Sequence, residues 1–198
     1  MVIGSKCAKL KPVIEIVPYK ESWSQQFTAL GERLREAAGT DALAIHHIGS
    51  TGVPGLAAKD VIDVQVTVAD FDLPFRAAFE DLGLTFREID RDHCPPGMTL
   101  EPEQLEKRYF SGQSPRVHVH VRVQARFNQR YALICRDYLR THPMAADAYA
   151  EVKQQLARYF PNDVEAYYAI KDPVFDVMMA GGLEWVENTN WQQPPSDA

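Results

Sequence analysis

The stretch His47–Val68, HIGSTGVPGLAAKDVIDVQVTV, decides the fold: a Gly-Ser turn runs into a strand with one aliphatic and one polar face. Strand side chains alternate, so Val61, Asp63, Gln65 and Thr67 share one side while Ile62, Val64, Val66 and Val68 share the other. Downstream, RVHVHVRV at 116–123 repeats the alternation, with Val117, Val119, Val121 and Val123 opposite Arg116, His118, His120 and Arg122. If both strands lie in one sheet with their valines packed on the same helices, Asp63, His118 and His120 emerge together on the opposite face. That convergence is the basis on which a site is read from this sequence.

Working outward, Val13–Val17 is expected as a strand, and Ser22 with Gln25 as a capping box opening a helix whose stripe is Trp23, Phe27, Leu30, Leu34 and Ala37. Ala44–Ile48 enters the turn as a strand. Asp72 is expected to cap a second helix carrying Phe75, Ala78, Phe79 and Leu82, followed by a strand at 84–89. Residues 90–106, with Pro95, Pro96, Gly97 and Pro102, predict an irregular excursion. A hairpin joins 107–110 to 116–123. Four helices are then expected: one through Tyr131 and Leu139, one from Pro143, one capped by Asn162 and Glu165, and one opened by Asp172-Pro173 and ended by Gly181-Gly182. The order predicts one α+β domain over 1–198, with an α/β front at about 13–125 and a helical region at about 128–186. A mixed sheet with helices mainly on one face follows.

The 198 residues carry a net charge of −6, which argues against an extended nucleic-acid surface. No stretch approaches the roughly 20 apolar residues of a membrane span, and the first residues lack a secretory signal's apolar core. A cytoplasmic protein with no membrane partner is expected. Cys7, Cys94 and Cys135 fit neither a disulfide framework nor a cysteine zinc site, and are read as reduced thiols. His93-Cys94 has no partner pair at metal-site spacing and is set aside.

Gly49, Ser50 and Thr51 offer close backbone approach and hydroxyls for a phosphate oxygen, although the same residues make ordinary turns. The spacing is neither a P-loop nor a dinucleotide fingerprint. His118 and His120 point the same way, either as chelators of one metal with Asp63 or as solvated imidazoles on an open sheet face. Lys59 and Arg122 are candidates to balance a polyanion, and Lys171 sits at an expected helix boundary. His47 either orients Asp63 and the turn or packs. Arg136 and Asp137 are read as a structural pair.

Several stretches resemble the GrpB family, placed within the nucleotidyltransferase superfamily: VPYKESWSQQF, HIGSTGVPGLAAKDVIDV, HVHV at 118–121, RDYLRTHP at 136–143 and YYAIKDPVF around Lys171. The resemblance implies a nucleotidyltransferase-like core in which Gly49 and Ser50 hold nucleotide phosphate and Asp63 is the second carboxylate of a D-x-D or D-x-E pattern. Val61 stands where the first carboxylate belongs, and His118 and His120 stand in for the third acidic strand. The implied activity is transfer of a nucleotidyl group from a nucleoside triphosphate to an unidentified acceptor. Asp63, Lys59 and Lys171 are the expected catalytic residues; Gly49, Ser50, Thr51, His47 and Arg122 hold the nucleotide; Asp63, His118 and His120 hold Mg²⁺ or a transition metal. Imidazole favours zinc, manganese or nickel over magnesium. Two rivals are a binding or accessory module, since the family resembles domains fused to dephospho-coenzyme A kinase, and a metal hydrolase built on Asp63, His118 and His120.

Overall fold

A computed structural model describes residues 13–198. Five strands form one mixed sheet in the order β1-β2-β5-β4-β3: β1 is Ala44–Ile48, β2 Ile62–Val68, β3 Thr85–Arg87, β4 Arg108–Gln113 and β5 Arg116–Val123. All neighbours are antiparallel except β2 and β5, which run parallel at the centre. Register places Asp63 beside His118 and Gln65 beside His120, with Tyr109 of β4 next to His120.

The valine face is covered as its pattern demands. Trp23, Phe27, Leu30 and Leu34 of α1 (Ser22–Ala38) and Phe79 of α2 (Arg76–Asp81) pack on Ile62, Val64, Val66, Val117, Val119 and Val121 in one buried cluster. A buried valine contributes about 1.5–3 kcal/mol relative to exposure, so a one-residue slip of β2 or β5 is strongly disfavoured. The polar face carries α3 (Phe127–Thr141), α4 (Pro143–Tyr159) and α5 (Val164–Thr189) on its far side. Gln65 and Thr67 are therefore fully buried, and Gln65 donates to the Gln129 carbonyl of α3 at 3.1 Å. What stays open on this face is a cleft between sheet and helices.

Several local expectations are corrected. Instead of a strand at 13–17, only a bridge forms, Val17 with Ala58. Ser22 and Gln25 make no capping box: α1 starts at Ser22 after a non-bonding Glu21 cap, the Trp23 N–H donating to the Lys20 carbonyl at 3.0 Å. Asp72 does not cap α2, whose cap position is Phe75. The two last helices are one: α5 is capped by Asp163, whose side chain accepts from the Ala166 N–H, and runs 26 residues through Pro173 and Gly181-Gly182. Tertiary packing carries it past both breakers. At Gly182 an added Cβ would lie 3.1 Å from the Ile134 side chain, so the missing side chain lets α5 press on α3. No helix among the described residues is long and apolar enough to cross a membrane. Cys94 and Cys135 are free thiols, and Cys7 lies outside the described residues.

Candidate functional site: an Asp-His-His group and a lysine cluster in one cleft

A cavity of about 500 Å³ opens between the polar face and the helical region, inside the range of roughly 300–1,000 Å³ usual for small-molecule sites. At its centre the strand register brings Asp63, His118 and His120 together. His118 Nδ1 donates to Asp63 Oδ1 at 3.1 Å, and His120 Nε2 lies 3.9 Å from the same oxygen. One donor atom from each residue falls within 4.8 Å of the others, and no second group of this kind occurs among the described residues. Burial opposes the Asp63 charge, but hydrogen bonds from His118 and His120, and their positive charge once they are protonated in acid, prevail and hold its pKa well below the usual carboxylate range. For His120, burial dominates and pulls the pKa down to about 4, so the ring is neutral at pH 7, the form in which an imidazole can ligate a metal. Tyr109, beside both rings, is pushed up to about 12 by burial and the Asp63 charge, and keeps its proton.

Toward the Gly-Ser turn the cleft becomes cationic. Lys59 donates to the Tyr168 hydroxyl at 2.5 Å, Lys171 lies 5.3 Å from the Tyr168 ring centre, and Lys153 of α4 donates to Ser50 Oγ at 2.9 Å and to the Ala57 carbonyl at 2.5 Å. Lys171 also pairs with Asp172 at 2.8 Å. Asp172 offsets the Lys171 charge, while Lys59 and Lys153 have no carboxylate partner in an ion pair among the described residues, so like charge still gathers at this end. Lys153 shows this most: burial first, then the charges of Lys171 and Lys59, pull its pKa down to about 7 against the opposing charge of Asp63.

The opposite end is closed by internal ion pairs. Asp92 accepts from Lys107 at 2.6 Å, from Arg122 Nε at 2.8 Å and from Asn128 at 3.1 Å. Burial disfavours its charge, yet Arg122 and Lys107 hold its pKa far below normal. Arg122 also donates to the Gln65 side chain at 2.7 Å. Its guanidinium lines the cleft but is consumed by protein partners, which distinguishes it from the nucleotide-holding cation expected from sequence.

Of the remaining expected site residues, Gly49 and Ser50 border the cavity, with Gly49 pressed against Asp63. Thr51 lines it too, but its hydroxyl faces inward, joined to His47 Nε2 at 3.0 Å and to the Val61 carbonyl at 3.2 Å. His47 is placed apart from the cavity: it stacks on Phe27 at 4.6 Å on the α1 side and braces the turn from behind. Arg136 is structural, donating to the His47 carbonyl at 3.0 Å and to Asp197 at 2.8 Å. His93 belongs to no metal-ligand group among the described residues and bonds to Asp176 at 2.9 Å. Sequence reading missed Lys153 and Asp92. A signal for Lys153 existed, because it falls in the buried stripe of α4 between Tyr149 and Leu156, where a lysine is out of place. Asp92 lies in irregular chain and had none.

The family model described as GrpB protein matches residues 13–180. The chain belongs to the GrpB family. It is 32% identical over 184 residues to UPF0157 protein YqkA of Bacillus subtilis, covering 91% of this chain and 50% of that protein. It is 30% identical over 196 residues to a dephospho-CoA kinase of Mycolicibacterium paratuberculosis, covering 90% of this chain and 48% of the kinase. The chain thus spans about half the length of these two relatives. The crystal structure of the conserved protein GrpB from Enterococcus faecalis shares the GrpB fold with a TM-score of 0.73 at 28% identity, over 87% of this chain and 99% of that one.

Proposed function

We propose that this GrpB-family chain binds a nucleoside triphosphate with one divalent metal ion and transfers its nucleotidyl group to an acceptor. The observation that carries the reading is the placement of an Asp-His-His group and a lysine cluster along one cleft. Donor spacings of 3.1 and 3.9 Å suit ligands that share an ion at about 2.0–2.2 Å each. Two imidazoles and one carboxylate fit a transition metal better than magnesium, which favours oxygen ligands. When bound, such an ion supplies positive charge to phosphate oxygens as negative charge builds at phosphorus. The chain's own residues do the rest: the Gly49-Ser50 turn lets phosphate approach the backbone, Lys59 and Lys171 balance its charge, and Phe127 and Tyr131 supply an aromatic wall.

Calorimetric titration with ATP and Mn²⁺ tests this. Binding should be lost or at least about tenfold weaker in Asp63→Ala and Lys171→Ala, the loss of a charge-assisted contact being worth about 1.5–3 kcal/mol. Unchanged binding in both variants removes the assignment.

Val61 favours a second reading. It is 4% exposed and buried where the first carboxylate of the pattern would stand, and a chain with one carboxylate is suited to holding a nucleotide without transferring it. Incubation with α-labelled ATP and a metabolite mixture separates the two: label on any acceptor supports transfer, and binding without labelled product supports the module.

A further inference from the structure

Ser50 and Lys153 have a relation that a phosphate-holding turn does not require. Lys153 reaches from α4 with its side chain buried, and its amine touches two oxygens, Ser50 Oγ at 2.9 Å and the Ala57 carbonyl at 2.5 Å. Among the described residues no carboxylate pairs with it. The amine itself lies 4.5 Å from the centre of the Tyr149 ring, which with the two oxygens holds it in one place. Ser50 stands at the cavity wall, next to the glycine that abuts Asp63. An uncharged amine in this position gives one N–H to Ala57 and turns its lone pair to the Ser50 hydroxyl, the arrangement of a base poised on a nucleophile.

We infer that Ser50 is a nucleophile and Lys153 its general base, and that the pair takes a phosphorus electrophile bound in the cleft. With a nucleoside triphosphate, Ser50 Oγ forms a bond to the α-phosphorus while the bond from that phosphorus to the pyrophosphate oxygen breaks. The hydroxyl proton passes to Lys153 Nζ, and pyrophosphate leaves toward Lys59 and Lys171. An acceptor hydroxyl then forms a bond to the same phosphorus while the bond from that phosphorus to Ser50 Oγ breaks; the acceptor's proton goes to bulk water, and the released Ser50 oxygen recovers the proton from Lys153. The depressed proton affinity of Lys153 agrees with this role: Lys59 and Lys171 repel its cation, Asp63 attracts it, and Tyr149 beside it is kept protonated by burial. The choice of a nucleotide as electrophile rests on the function proposed above; the Ser50–Lys153 pair does not.

The test uses a fluorophosphonate, which labels an activated serine by forming an oxygen–phosphorus bond and releasing fluoride, with no metal or nucleotide needed. Peptide mapping should find the adduct at Ser50 and none in Ser50→Ala, and the labelling rate should rise with pH through a midpoint near 7, following Lys153. Lys153→Arg keeps the positive charge and reach without a base at neutral pH, and should slow labelling by about a hundredfold or more. Its melting temperature, measured alongside, shows whether it folds, and Lys153→Met serves if it does not. An unlabelled Ser50 in the wild-type chain, or a folded Lys153 variant that labels at the wild-type rate, overturns the inference. Fluorophosphonate labelling without any nucleotidyl adduct from α-labelled ATP supports the pair and counts against the nucleotide reading instead.

Discussion

Gly49→Ala should damage both stability and the site, by amounts that can be worked from the geometry. Gly49 has φ 67° and ψ −171°, a conformation essentially reserved for glycine, and holding alanine there costs about 1–3 kcal/mol. An added Cβ would also lie 2.5 Å from Asp63 Oδ2 and 3.0 Å from Asp63 Cβ, both on the strand that carries the carboxylate. The carboxylate must turn away, giving up its hydrogen bond from His118, a charged contact worth about 1.5–3 kcal/mol. Together the variant should lose roughly 2.5–6 kcal/mol. Gly55→Ala provides the internal control: Gly55 has φ 81° and nothing within 4 Å of its added Cβ, so only strain of about 1–2 kcal/mol is expected. Urea unfolding of both variants gives the stability difference, and Zn²⁺ or Mn²⁺ titration gives the effect on the ligand set. Gly49→Ala should bind metal at least about tenfold more weakly than Gly55→Ala. Equal metal affinity in the two would refute the claim that the glycine exists to make room for Asp63.

Two further outcomes follow from buried charge. Asp92→Ala leaves Lys107 and Arg122 without their shared anion, and should destabilise by about 3–5 kcal/mol in thermal or urea unfolding, whereas Asp90→Ala on the exposed side of the same loop should change little. Acid should weaken the protein in two windows. Burial lowers both His47 and His120 to about 4, so the unfolded chain takes their protons from about pH 6.5 downward while the folded chain refuses them until about 4, and stability falls across that interval. His47, 6% exposed, accounts for about 3 kcal/mol of this loss on an order-of-magnitude scale. The depressed carboxylates of Asp63 and Asp92 add their loss only below about pH 4. Urea midpoints from pH 7 to 3 check the sign, and His47→Gln should flatten the upper window.

The site's centre was legible because β2 and β5 carry unbroken alternation, and a buried valine face fixes where the intervening residues point. The parallel register that sets Asp63 beside His118 then follows from sheet assembly. What was hidden depends on long-range contacts. Asp172-Pro173 and Gly181-Gly182 read as helix boundaries by local rules, yet α5 continues because its contact with α3 outweighs them. Arg122 looked free on the polar face until a loop residue, Asp92, arrived to claim it. His47 alternates out of phase with Asp63 across the β1–β2 pairing, opposite Val64, which turns it toward Phe27 instead of the cleft. The helices across the polar face, which supply Lys153, are invisible to any reading of the strands alone.

The parallel contact between β2 and β5 is a seam between two locally built halves, a β1–β2 hairpin-like pair on one side and the β3–β4–β5 meander on the other. Asp63 belongs to the first and the two histidines to the second, 55 residues downstream for His118. Neither half owns a complete ligand set, so nothing that needs all three side chains can bind before the seam has zipped. An ion gripping across it would act as a rivet, slowing the seam's opening while leaving each half's own turns untouched, and its binding would be a direct readout of full assembly.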